Sequence, residues 1–295
     1  MRIAVAALLA VALAGCGEPK LLGPGDLEKP ALPTPPTRIA YGPGASQYVE
    51  QWRVMGRGRR ASPLVILIHG GCWQSEYGAD LMHGMANALK QEGYRVYNIE
   101  YRRLGEPGGG YPGTFQDVAA AVEKIASLEN DLSRLVLVGH SAGGHLALWV
   151  SARPVLPETS PLYSENPTPI PAVLSLGGAG DLEAAAADPA FSGACGKETI
   201  AQLVGAGTRD SDPYADTSPA RLPIPGVRQL MMHGEREQVA PPALGEAYAV
   251  KVSEEGAEAR FIPVPDAGHF EVISPGSPGW SKVLQELDTL TRNMS

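Results

Sequence analysis

Cysteine is scarce in this chain of 295 residues, which has only three. That excludes the dense disulfide framework of small secreted domains, and Cys16, Cys72 and Cys195 lack the spacing of a zinc site. Positive charge is also short. Twenty-four Lys and Arg stand against 32 Asp and Glu, for a net charge of −8. With no basic cluster, a nucleic-acid partner is not expected. The nearest basic run, Arg57 to Arg60, reads as a solvated hairpin turn. No internal repeat of solenoid period is present. Long apolar runs are missing except at the N-terminus, where "MRIAVAALLAVALAGC" carries one positive charge, an apolar stretch and small residues. That run is too short to cross a bilayer comfortably and reads as a signal peptide over residues 1–16.

Leu13-Ala14-Gly15-Cys16 resembles the lipobox of bacterial lipoproteins. The resemblance implies an exported cell-envelope protein held at the periplasmic side of a membrane by a lipid on Cys16. Residues 17–38, rich in Pro and Gly, read as a semi-extended tether, leaving residues 39–295 as one domain. Cys72 and Cys195 are expected by default as two free or half-buried thiols. An exported chain meets oxidising conditions, so a bridge between them stays open.

Past the tether, strand-like and helix-like segments alternate. "SQYVEQWRV" (46–54) alternates as an early strand, and "PLVILIHGG" (63–71) is a continuous apolar strand ending in glycines. Further strands are expected at 94–101, 134–138, 172–178, 228–235 and 259 onward. Helical spacing occupies 79–93, 114–129, 142–152, 242–256 and 280–293. The alternation predicts an α/β fold with a mostly parallel sheet covered on both faces. The longest insertion, about 180–225, holds two short helix candidates and reads as a small cap over a site.

The segment "RLVLVGHSAGGHLALWV" (134–150) runs from a buried strand directly into a helix, with Ser141 at the break. Gly139-His140-Ser141-Ala142-Gly143 fits the G-x-S-x-G nucleophile elbow in the strand–turn–helix context that motif requires. A serine needs a base, and the base needs an orienting acid. Among the six histidines, His269 in "PDAGHFEVI" follows the last strand, on a loop that can reach the carboxyl edge of the sheet. The acid should fall between Ser141 and His269. "HGEREQVAP" (233–241) places carboxylates directly after a strand end. Asp181 in "GAGDLE" is the reserve candidate, although its place before "LEAAA" also suits a helix N-cap. Asp266 and Glu235 are weaker candidates.

"HGGCW", "GHSAGGHLA", "HGEREQVAP" and "GHF", in that order, resemble the α/β-hydrolase superfamily of esterase/lipase type. The likeness is close to the group containing kynurenine formamidases and acetyl or feruloyl esterases, and it covers nearly everything from about residue 40 onward. It implies an α/β-hydrolase fold and a Ser141–His269–acid triad. Glu237 stands where the family usually carries Asp, and Ala240 where Val is usual. The backbone N–H groups of Gly71, Cys72 and Ala142 would form the oxyanion hole. Trp73 could floor the substrate pocket or simply pack. No metal or organic cofactor is implied. The expected function is hydrolysis of small acyl or aryl esters through an acyl-enzyme. A formamide of an aromatic amino acid is the alternative substrate, and a non-catalytic binding module is the rival class.

Overall fold

In the computed structural model the described residues are 20–31, 34–53 and 62–292. Cys16 and the Arg57–Arg60 turn fall outside them. Eight strands form one sheet: β1 (Thr37–Ala40), β2 (Tyr48–Trp52), β3 (Leu64–Ile68), β4 (Arg95–Ile99), β5 (Leu135–His140), β6 (Ala172–Leu176), β7 (Arg228–Gly234) and β8 (Glu258–Val264). Their spatial order is β1-β2-β4-β3-β5-β6-β7-β8. β1 and β2 pair antiparallel, as do β2 and β4, and every other pairing is parallel. The sheet is therefore mostly parallel, as the alternation of elements predicts.

The unbroken apolar run of β3 follows from its central place, since all five of its residues are buried. Period-two geometry splits them between the two faces. Leu64, Ile66 and Ile68 join a core with Phe115, Val118 and Val122 of α2 (Gly113–Leu128), Leu146 of α3 (Ala142–Ser151) and Val252 of α7 (Pro242–Glu254). Val65 and Leu67 join the opposite core with Met85 and Leu89 of α1 (His83–Gln91) and Val283 and Leu287 of α8 (Trp280–Arg292). Each fully buried side chain of this kind contributes about 1.5–3 kcal/mol before ordering costs.

The insertion after β6 holds α4 (Leu182–Ala187), α5 (Pro189–Cys195) and α6 (Thr199–Val204), one short helix more than its sequence pattern indicates. Asp181 and Asp188 cap α4 and α5 by accepting two backbone N–H groups each.

Two features depart from the expected tether. Its last two residues, Thr37 and Arg38, already belong to the edge strand Thr37–Ala40, which is largely exposed and gives no apolar signal. Upstream, Pro24–Asp26 forms a 3₁₀ turn, and Leu27 is buried in the α1/α8 core. This stretch packs on the domain instead of leading away from it.

Candidate active site

Three loops at the carboxyl edge of the sheet meet around Ser141. The first follows β5. Its central Ser141 adopts φ 53° and ψ −119°, a region L-residues rarely occupy, at a cost of about 1–3 kcal/mol. The turn is held by the Ser141 N–H donating to Leu176 O at 2.8 Å and by Gly144 N–H donating back to Ser141 O at 2.9 Å. Gly143 cannot be replaced without disruption, because a Cβ there would sit 2.1 Å from the Ile68 carbonyl oxygen. The tight turn leaves Ala142 as the first residue of α3, with its N–H among those a helix start leaves unpaired.

The second loop follows β3. Gly71, Cys72 and Trp73 all have positive φ, at 103°, 53° and 56°. Such a run turns successive peptide N–H groups to one side, the arrangement that cradles an anion. His69 is wholly buried beneath it, with Nδ1 2.8 Å from Gly70 O and Nε2 2.9 Å from Glu100 Oε1. Cys72 is disulfide-bonded to Cys195 at the end of α5, with a Cα–Cα distance of 5.4 Å. The default of two free thiols is thereby corrected. The bridge fastens the oxyanion-loop candidate to the insertion across 123 residues of sequence.

The third loop follows β8 and carries His269. Its Nδ1 lies 2.7 Å from Glu237 Oε2, and the Glu237 side chain is fully buried. The other Glu237 oxygen accepts the N–H groups of Val239 at 2.7 Å and Ala240 at 3.2 Å. Burial opposes ionisation of Glu237. The hydrogen bond and charge of His269, with those two N–H groups, outweigh it and hold the carboxyl below its ordinary range. The additional methylene of Glu relative to Asp is absorbed because the carboxylate is tied back onto its own turn. Asp181 is committed elsewhere: one oxygen caps α4 and the other meets Lys251 Nζ at 2.8 Å. Glu235 and Asp266 are exposed.

A cavity of about 200 Å³ opens between these loops, lined by Gly71, Cys72, Tyr77, Ser141, His269 and Phe270 among others. Ser141 and His269 share its wall, but no hydrogen bond joins them among the described residues. In serine hydrolases without substrate that contact is often long. A larger cleft of about 350 Å³, lined by Arg228, Leu230, Arg260 and Leu290, lies at the amino ends of β7 and β8. It is remote from the edge where open α/β sheets bind ligands. Trp73 does not line the cavity beside Ser141. Its ring is completely buried, edge-on to His145 and tilted against Phe191. It is a packing residue, which corrects the pocket-floor expectation.

Sequence reasoning missed His140 as a partner of the third loop. Its Nε2–H donates to the His269 carbonyl at 2.9 Å, and the two rings lie 4.6 Å apart. Burial, reinforced by the neighbouring His269, pushes His140 down to about 3. Its ring is therefore neutral and serves as a donor that fixes the His269 backbone. Glu271, Tyr77, Leu81 and Pro24 also escaped notice, since none belongs to a motif.

Residues 55–251 match the BD-FAE family profile. The esterase LipC of Mycobacterium tuberculosis is 25% identical over 256 residues, a region covering 82% of this chain and 61% of that relative. The chain thus spans less than two thirds of the length of the curated relatives it matches, LipC and LipQ of the same organism, at 61% each. Among solved structures, an inhibited esterase B from Lactobacillus rhamnosis superposes with TM-score 0.72 at 21% identity, covering 91% of this chain and 90% of that one. A truncated carbohydrate esterase from gut microbiota gives TM-score 0.68 at 21% identity, with 90% and 99% covered. Both establish the α/β-hydrolase fold.

Proposed function

The chain belongs to the BD-FAE family, and from that premise we propose that it is a serine hydrolase cleaving small acyl or aryl esters of carboxylic acids. The observation carrying the proposal is the His269 Nδ1–Glu237 Oε2 contact of 2.7 Å, made behind a histidine that shares the wall of a cavity with Ser141. In this mechanism Glu237 accepts the Nδ1–H of His269, so the lone pair of Nε2 is free to take the Ser141 proton. Ser141 Oγ then attacks the ester carbonyl. The tetrahedral oxyanion is received by the N–H groups of Gly71, Cys72 and Ala142, each such donor being worth roughly a hundred- to a thousandfold in rate. His269 returns the proton to the leaving alcohol, and water releases the acid from the acyl-enzyme by the same steps in reverse. The relatives' names, LipC and LipQ among them, favour an ester over a formamide.

The test compares the wild type with Ser141→Ala on p-nitrophenyl acetate and butyrate, on N-formylkynurenine, and with a fluorophosphonate probe. Ester turnover and labelling are expected in the wild type and neither in the variant. Turnover retained by Ser141→Ala would remove the nucleophile, and an unlabelled wild type would favour a binding module. Preference for N-formylkynurenine would move the assignment to arylformamidase.

The same proposal places the enzyme outside the cytoplasm, anchored through a lipid on Cys16. Two features support it: the lipobox-like Leu13–Cys16 and the Cys72–Cys195 disulfide, a bond that persists in oxidising compartments. Metabolic labelling with an alkyne fatty acid should mark the wild type and not Cys16→Ala. Equal labelling of both would refute the anchor.

A further inference from the structure

The segment leading into the domain has a composition that suits a spacer, yet it lies against the catalytic loops at three points. Leu22 N–H donates to Glu271 Oε1 at 2.5 Å. Glu271 is itself buried, and its other oxygen accepts Gly268 N–H at 2.9 Å, one residue before His269. One carboxylate therefore clamps this segment and the histidine loop together. The Leu21 side chain covers Gly268 so closely that a Cβ there would lie 3.1 Å from Leu21 Cδ2. At the far end, Leu27 is buried in the core that includes Met82 and Met85. Between these anchors the 3₁₀ turn Pro24–Asp26 is closed on itself: Asp26 N–H donates to Gly23 O at 3.0 Å and Gly23 N–H to Asp26 Oδ2 at 2.9 Å. Pro24, the first residue of this turn, is among those lining the Ser141 cavity.

We infer that residues Leu21–Leu27 form a fixed strap that completes the ester pocket, with Pro24 as a specificity-determining residue limiting the acyl group to short chains. The inference rests on the ester-hydrolase proposal above. Proline suits the place because its φ is already fixed and it has no N–H to leave unpaired against an apolar ligand. The resulting cavity of about 200 Å³ is smaller than the roughly 300 Å³ at which ordinary small-molecule pockets begin. Tyr77, Leu81 and Phe270 line the same cavity as Pro24, apolar surfaces that would receive an alkyl chain if the proline were trimmed. Glu271 is a positioning residue here, acting through the strap and through Gly268. Cys16, the lipid site proposed above, lies only four residues before Lys20, so the wall of the pocket is also the segment that leads to the anchor.

The experiment measures kcat/KM for p-nitrophenyl acetate, butyrate and octanoate with the full chain, Pro24→Ala and Pro24→Trp. Pro24→Ala should raise the octanoate-to-acetate ratio about tenfold, the lower range for a methylene-scale change in an apolar pocket. Pro24→Trp should lower the butyrate-to-acetate ratio by a similar factor. Wild-type ratios in both variants would overturn the inference. Amide hydrogen exchange over residues 20–28 provides a readout that needs no turnover. A docked strap protects the Leu22 amide, and an unprotected Leu22 would overturn the inference even with ester hydrolysis intact. A protected strap on a protein with no Ser141-dependent hydrolysis would instead defeat the ester-hydrolase proposal, and the acyl-size role with it.

Discussion

Among the described residues, two histidine–carboxylate pairs are buried on both sides, and they are built for opposite ends. His69 contacts Glu100 at 2.9 Å and His269 contacts Glu237 at 2.7 Å. In the first pair both ring nitrogens are engaged, one by the carboxylate and the other by the Gly70 carbonyl, and the ring has no exposure. In the second, only Nδ1 is held by the carboxylate, and the ring keeps an edge on the Ser141 cavity. The difference is one unoccupied face of one imidazole. A carboxylate beside a histidine does not by itself make a base. What matters is whether the second nitrogen is left facing a place where a proton can arrive.

The largest expected effect breaks the second pair. Glu237→Gln would put an amide in place of the acceptor at His269 Nδ1. Presenting its NH₂ to Nδ1 would favour the tautomer with the proton on Nε2, which cannot accept from Ser141. A fall of about ten-thousandfold in kcat is expected, with little change in KM. Steady-state kinetics on p-nitrophenyl acetate would check it. A loss below tenfold would mean that Glu237 is not the orienting acid.

The same contrast explains how much could be read beforehand. The central strands were legible because parallel strands covered on both faces must be continuously apolar, as β3 and the first four residues of β5 are. The elbow was legible because its geometry demands glycines at fixed offsets around Ser141. His269 was legible from its position after the last strand, and Glu237 only with help from the family pattern. The strap was not. Its clamp to Glu271 uses a backbone N–H, which leaves no trace in side-chain choice, and its Pro and Gly content imitates a spacer. The pairing of Cys72 with Cys195 was equally hidden, since spacing along the chain carries no information about distance across the fold. His69 was legible in kind: a histidine before a glycine at a strand end commonly holds loop backbone, and its Nδ1 contact with Gly70 O at 2.8 Å does so here.

A smaller effect should follow from breaking the first pair, and it should appear in stability before activity. Glu100 also accepts the N–H groups of Ala79 at 3.0 Å and Tyr101 at 3.0 Å, and Arg103 Nη1 lies 3.2 Å away. Burial opposes its ionisation, but His69, Arg103 and the Ala79 N–H together bring its carboxyl from 4.5 down to about 2. A carboxyl depressed on folding stabilises the native state above its unfolded pKa and ceases to do so as pH falls through the folded one. Glu100→Gln is therefore expected to cost about 3 kcal/mol at pH 7. For a chain of this size that corresponds to a melting point lower by roughly 6–12 °C. The gap between wild type and variant should narrow as pH drops below about 4.5 and close towards pH 2, because the wild type loses the charge the variant never had. Thermal melts of both proteins from pH 7 to pH 3 would measure this. A gap of constant size would show that the carboxylate matters through its shape and hydrogen bonds, and that its charge does not hold the loop after β3 in place.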